Sequence, residues 1–290
     1  MNILMTQDSS PDPGQPRMPA RRRLLMAGAL AAAGIGLDAL GLEPQEVLVT
    51  RTTLSVAGLD PAFQGMTIAQ VSDVHLPGNH RAARHALALL KREKPDVVVC
   101  TGDLVENRES LGVLSEFVSQ ARGSLATAGI FGNWERMAQL SDQELAAAYR
   151  AGGGLLLQDA RLVLRQGSGR LGIAGLGDAL YREPSLGPEV LDPDLSDADI
   201  WMVHCPAYAE RLPSSIPRLP AALLSGHTHG GQIRLPGWVP YRPVGSGRFI
   251  EGWYRDTRAP LYVSRGVGTV EIEARFCCPP EIPIFTLERG

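Results

Sequence analysis

Hydrophobic and polar positions change pattern several times along the chain, and each change predicts an element. After Gly41 the residues alternate and are largely β-branched (Val47, Val49, Thr52, Leu54, Val56), as in a half-buried strand. A strand over Met66–Val71 follows, ending in polar Ser72 and Asp73. His80–Lys94 reads as a helix whose apolar face carries Ala83, Leu87 and Leu90. Asp96–Thr101 is a continuous apolar run between Pro95 and Gly102, the form of a strand covered on both faces. Strand, helix, strand is a βαβ opening. Helices are expected over Leu111–Arg122 and over Asp142–Arg150, the latter capped by Ser141 and stopped by Gly152, Gly153 and Gly154. Beyond them short strands dominate: Leu162–Arg165, Leu171–Gly175, Ile200–Val203, Ala222–Ser225, Gln232–Leu235, Leu261–Ser264 and Ile284–Leu287.

The first part of the chain reads differently. Residues 1–19 hold Pro, Ser, Asp and Gln with few large apolar groups, so they are expected to be disordered. Arg21, Arg22, Arg23, Leu24, Leu25 and Met26 then lead into an Ala/Gly/Leu stretch that runs to Leu37. A basic head before a short apolar segment has the form of an export signal, and residues 20–42 resemble the twin-arginine type, with Arg21 and Arg22 as the pair. A basic arm followed by a core helix is the alternative. The apolar run is short for a spanning helix. No clear small-residue cleavage site follows it, so removal and retention as a membrane anchor both stay open. This reading implies the twin-arginine export machinery as a partner and the outer side of the cytoplasmic membrane as the location, periplasmic or anchored. Residues 43–290 show no internal repeat and no dividing linker, and read as one domain.

Composition narrows the function classes. With 290 residues, 44% of them hydrophobic and 20% charged, the chain is long enough for a large core. A net charge of -3 provides no overall basic field, so no stable nucleic-acid partner is expected, although a nucleotide substrate is not excluded. The four cysteines make neither a disulfide framework nor a zinc-finger pattern. Cys100 sits in an apolar run and reads as core. Cys205 follows His204 and reads as a small buried thiol, with a soft metal site as the alternative.

The informative feature is where metal-ligand residue types fall. Asp73 and His75 end the first core strand, Asp103 ends the second, and Asn133 follows a short apolar segment. His204 ends the strand at Trp201, and His227 and His229 end the strand at Leu224. In an α/β sheet the carboxyl ends of strands are where loops converge to form a site. Each residue alone has an ordinary structural reading. Together they offer mixed carboxylate, amide and imidazole donors, which suit divalent Mn, Fe, Zn or Co.

These residues carry a resemblance. DVH at Asp73, GD at Gly102, GN at Gly132, a strand-terminal His204 and GHTH at Gly226 resemble, in order, the five motifs of calcineurin-like metallophosphoesterases. The continuation GHTHGGQIRLPG and the ending LYVSRGVGT with CPPEI are similar to its exported or membrane-bound bacterial branch. The resemblance implies an α/β fold in which a two-sheet β-sandwich is flanked by helices, four layers in the order α/β/β/α. It also implies two divalent metal ions. Asp73, His75, Asp103 and His229 would hold one, and Asp103, Asn133, His204 and His227 the other, with Asp103 bridging. Two cations so bridged share a water, lower its pKa and present it in line with the leaving oxygen of a phosphate. Export of an already folded protein suits a domain that must acquire such metals first.

One position departs from the family pattern. A histidine normally follows the GN asparagine and serves the leaving group, whereas this chain has Trp134, whose indole cannot protonate a departing alkoxide. His80, beyond His75, is the candidate substitute acid, and adjacent Glu135 is read as a helix-start or surface residue. A phosphoanhydride or activated diester tolerates loss of the acid best. The expected activity is therefore hydrolysis of a phosphodiester or phosphoanhydride, on a lipid-linked or nucleotide-containing envelope substrate. The rivals are a broad phosphomonoesterase and a non-catalytic metal-binding scaffold. The segment Pro236–Tyr254 interleaves Trp238, Tyr241, Phe249, Trp253 and Tyr254 with Arg242, Arg248 and the adjoining Arg255. It reads either as a hairpin packing its aromatics on the sandwich or as a holder of a lipid or nucleotide head group.

Overall fold

Runs of small and β-branched apolar residues supply most of the framework. The computed structural model describes Gly34 and residues 36–290. The expected disordered segment 1–19 and most of the export-signal stretch, Arg21 and Arg22 included, lie outside the described residues. Asp38–Gly290 forms one unit by its contacts, and the elements below belong to it. No helix among the described residues is long and apolar enough to cross a membrane.

In chain order the strands are β1 (Leu48–Val56), β2 (Thr67–Val71), β3 (Val97–Cys100), β4 (Ala126–Gly129), β5 (Leu155–Leu156), β6 (Ala160–Gln166), β7 (Gly169–Gly175), β8 (Ala198–Met202), β9 (Ala222–Ser225), β10 (Gly252–Tyr254), β11 (Leu261–Val263) and β12 (Glu281–Arg289). The α-helices are α1 (His80–Glu93), α2 (Leu111–Gln120), α3 (Asn133–Met137), α4 (Asp142–Ala151) and α5 (Pro188–Leu191). Two six-stranded sheets result, in the orders β1-β12-β2-β3-β4-β5 and β10-β11-β9-β8-β7-β6. β2, β3, β4 and β5 run parallel in one sheet, and β7, β8, β9 and β11 run parallel in the other.

Alternation along each strand assigns its two faces. Val97 and Val99 of β3 meet Ile200, Met202, Ala222, Leu224, Phe285 and Leu287 between the sheets. Val98 and Cys100 face the other way, under Leu89 and Leu90 of α1, Leu114 and Phe117 of α2, and Leu145 and Tyr149 of α4. On the outer face of the second sheet, Trp201, Leu223, Leu261 and Val263 pack beneath Val190 of α5, Tyr208, Leu212 and Phe249. The four-layer α/β/β/α arrangement is therefore present, its second helical layer built from short helices and turns.

Three strands were not foreseen: β4, β5 and β10. One expected strand is absent. At Gln232–Leu235 the backbone turns left-handed at Gln232 (φ 54°), and the Gln232 amide clamps Val270 and Ile272 instead. Only isolated bridges to Phe276 and Trp238 remain there. The aromatics of Pro236–Tyr254 divide. Phe249 is buried and half-buried Trp253 stacks edge-on against Tyr262 and Phe285, while Trp238 and Tyr241 stay exposed.

Candidate active site

Parallel pairing brings the carboxyl ends of β2, β3 and β4 together, and likewise those of β8 and β9. All seven ligand-type residues lie just beyond those ends and all are buried: Asp73, His75, Asp103, Asn133, His204, His227 and His229. Five of them adopt left-handed backbone, with φ of 52° at Asp73, 54° at His75, 53° at Asp103, 73° at His227 and 50° at His229. Each such non-glycine conformation costs roughly 1–3 kcal/mol, and it persists where surrounding structure imposes it for a purpose. Here it turns side chains from separate strands into one cleft. Two motif glycines allow the loops to approach. A Cβ at Gly102 (φ +95°) would lie 2.6 Å from His204 Nδ1, and one at Gly132 would collide with the Asp103 carboxylate.

The donor atoms form two groups that meet at Asp103. His75 Nε2 and His229 Nε2 are 3.1 Å apart, with Asp73 Oδ1 at 3.6 Å from His229 Nε2. Asn133 Oδ1 lies 2.9 Å from His204 Nε2 and 2.8 Å from His227 Nδ1. Asp103 Oδ2 faces both groups, 3.9 Å from His75 Nε2 and 3.1 Å from His204 Nε2. The reverse sides of most imidazoles are fixed. His204 Nδ1 donates to Thr101 O at 2.7 Å and His227 Nε2 to Val244 O at 2.8 Å, which turns the other ring nitrogens inward toward the shared donor groups. His75 Nδ1 has the Glu106 carboxylate at 3.3 Å. The other Asp103 oxygen accepts from the Trp134 amide at 2.8 Å, and Asp73 accepts from the His227 amide.

Charge in this pocket is strongly redistributed. Burial opposes ionisation of Asp103, but the His204 imidazole beside it outweighs that effect and holds the carboxyl well below the usual range. Burial likewise opposes charge on His204, and Asp103 overrides it, pushing the imidazole up to about 10. His227 is pushed down to about 4 by burial and then by His204, and His229 is lowered by burial and by His75. Two neutral imidazoles and an ionised carboxylate are the states in which these groups bind metal. The donor set therefore fits two borderline divalent cations with Asp103 between them. Cys205 also comes within reach of His204 and His227. Burial pushes its thiol pKa well up, which keeps it protonated and a poor ligand.

The sequence model of calcineurin-like phosphoesterases matches residues 66–231, more than half of the chain. The chain belongs to the calcineurin-like phosphoesterase family. It is a metal-dependent phosphoester hydrolase, and the family generally depends on two metals. Among the relatives of this phosphoesterase is the uncharacterized metallophosphoesterase YkuE of Bacillus subtilis, 31% identical over 91% of this chain and 93% of that protein. The phosphodiesterase YaeI of Escherichia coli is 28% identical over 70% of this chain and 74% of its own length. The UDP-2,3-diacylglucosamine pyrophosphatase LpxG of Chlamydia trachomatis is 24% identical over 83% and 89%, respectively.

The candidate donor groups of the phosphoesterase open onto a cleft of about 210 Å³, walled by Trp134, Met137, Leu180, Tyr241, Val244 and Val270 among others. Trp134 is half-buried and stands edge-on to His75, with ring centroids 5.4 Å apart. Its indole therefore closes the cleft rather than supplying a proton there. The structure does not bring His80 to this cleft. It is the exposed first residue of α1, beside Arg84 and Leu87 on the face toward α2.

Glu135 differs from its surface reading. It is buried, and its carboxylate accepts from the amides of Gly132 (2.9 Å), Asp103 (3.0 Å), Leu104 (2.6 Å) and Val105 (3.1 Å). It ties the loop carrying Asp103 to the loop carrying Asn133, while also serving the start of α3. Burial and the nearby Asp103 charge raise its pKa to about 7. Arg275 is a second residue the sequence did not flag. Its fully buried guanidinium bonds the carbonyls of Arg265, Gly268, His229 and Cys278, pinning the loop that holds His229.

Proposed function

We propose that this phosphoesterase hydrolyses a phosphodiester or phosphoanhydride whose substrate, lipid-linked or nucleotide-containing, belongs to the cell envelope. The observation that carries the reading is Asp103 Oδ2 facing His75 on one side and His204 on the other, at the junction of the two donor groups. Asp73, His75, Asp103 and His229 hold one divalent cation in this reading, and Asp103, Asn133, His204 and His227 hold the second. When bound, such a pair acidifies water for attack and neutralises phosphoryl oxygens as charge develops.

The chain's own residues do the positioning. Thr101 O and Val244 O orient His204 and His227, and the Trp134 amide holds one Asp103 oxygen so that the other faces the donors. With Trp134 at the cleft wall, a leaving group that needs no protonation is favoured, which argues for diesters and anhydrides over alkyl monoesters. The names of two relatives, a phosphodiesterase and a pyrophosphatase acting on a lipid-bearing sugar nucleotide, support the same class. Arg21 and Arg22 with the apolar run to Leu37 support twin-arginine export to the outer side of the cytoplasmic membrane.

Steady-state turnover of matched diester, pyrophosphate and monoester substrates by metal-reconstituted protein tests the assignment. Preference for the first two is the expected result. A monoester preference would favour the broad phosphomonoesterase alternative.

A further inference from the structure

A second cavity, about 190 Å³, adjoins the metal cleft and shares His229, Tyr241, Pro243, Val270 and Glu271 with it. Ile233, Pro240 and Ile272 extend its wall. Two polar side chains of that wall are already engaged within the protein. Gln232 Nε2 donates to the Val270 and Ile272 carbonyls at 3.1 and 2.9 Å, and its Oε1 accepts from the Val270 amide at 2.9 Å. Thr228 Oγ1 donates to Ile250 O at 2.6 Å and accepts from the Gly230 amide at 3.1 Å.

Chemistry decides between a hydrocarbon and a nucleoside here. No Lys or Arg lines this cavity among the described residues, and Glu271 stands at its seam with the metal cleft. A second phosphate reaching across the seam would meet a carboxylate, and a base would find the Gln232 amide and Thr228 hydroxyl taken, with the Tyr241 hydroxyl and the Glu271 carboxylate left to meet it. A hydrocarbon chain needs neither cation nor donor. The same loop that supplies Pro240, Tyr241 and Pro243 also exposes Leu235 (44%), Trp238 (59%) and Val244 (80%), and Ile272 is 57% exposed. Ile272 at this wall and Val244 at the adjoining cleft are exposed apolar groups that a lipid surface would cover, whereas Leu235 and Trp238 line a separate cavity with Arg234 and Arg242.

We infer that the substrate is a lipid phosphoester, its phosphate at the metal donors and its hydrocarbon chain in the Ile233–Val270–Ile272 groove. The inference rests on the proposed phosphoester hydrolysis for the phosphate position and adds the chain.

The test measures binding of n-alkyl phosphates, methyl to decyl, to full-length metal-loaded protein by calorimetry below micelle-forming concentrations, alongside turnover of methyl para-nitrophenyl phosphate. Each methylene entering the groove should tighten binding about fourfold until the groove is filled. Ile272→Asp, at an exposed position, should flatten the series, and Ile272→Leu should preserve it. Affinity independent of chain length overturns the inference. So does a steep series that survives Ile272→Asp, or adenosine monophosphate binding tighter than decyl phosphate. A steep series without turnover of the methyl ester would support the groove while removing the hydrolytic reading.

Discussion

Replacing Glu135 tests whether the two metal-bearing loops are tied from below. Each carboxylate oxygen serves two amides: Oε1 accepts from Leu104 and Val105, and Oε2 from Asp103 and Gly132. A buried amide left without a partner costs about 1–3 kcal/mol, so four would sum to about 4–12 kcal/mol if nothing relaxed. Water entering the vacated space recovers part of that, and a loss of about 3–5 kcal/mol is expected for Glu135→Ala. Glu135→Gln keeps one acceptor oxygen, and with it two of the four bonds, but turns an amide NH₂ toward the other pair. Its loss should be about half as large. Urea unfolding of metal-free protein measures both. Metal affinity in the same variants should fall about 10–100-fold, because Asp103 and Asn133 lose their common support. A Glu135→Ala variant within about 1 kcal/mol of the parent, with unchanged metal affinity, would remove this bracing role from Glu135.

Other expectations follow from the same structure. Arg275→Met strands the carbonyls of Arg265, Gly268, His229 and Cys278 in the interior and should cost about 3 kcal/mol or more in chemical denaturation; an unchanged midpoint would remove its bracing role. Metal uptake by the metal-free protein should strengthen with rising pH, because His204, held protonated up to about 10, must release a proton while His227, near 4, is already neutral. That amounts to at least about tenfold in affinity per pH unit, since His75, which burial lowers but Glu106, Asp103 and Asp73 raise on balance, adds to the proton released by His204; titration between pH 6 and 9 reads it, and a flat profile would contradict it. Trp134→His should speed hydrolysis of esters with poor leaving groups about 100-fold or more, with little gain for activated ones. Equal effects on both would mean that leaving-group protonation is not what this position controls.

The site was more legible in the sequence than its support. Ligand-type residues directly after apolar, β-branched runs are a strong local signal, because strand ends and loop chemistry are both written in short segments. β4 was missed for a packing reason: its Ala-Thr-Ala-Gly sequence has weak strand propensity, and a Cβ at Gly129 would collide with the Tyr149 hydroxyl from α4. Gln232–Leu235 carries strand-forming residues, yet a side-chain clamp to a distant loop overrode local preference. Glu135 and Arg275 look like surface charges in sequence, since burial depends on which loops fold over them. The left-handed backbone at Asp73, His75, Asp103, His227 and His229 is likewise imposed by tertiary packing. Asp and His are enriched there among non-glycine residues, but the preference is too weak to say which of them adopt it.

On the proposed reading, Asp103 joins two divalent cations into one hydrolytic centre. Elemental analysis of the reconstituted protein, paired with hydrolysis of an activated phosphodiester by the parent, Asp103→Ala and Asp103→Asn, tests it most directly. About two equivalents of transition metal are expected in the parent, with turnover abolished and metal reduced in both variants while they remain folded. Protein that takes up no metal and has no activity after reconstitution, or an Asp103 variant that keeps both metal and turnover, would contradict it.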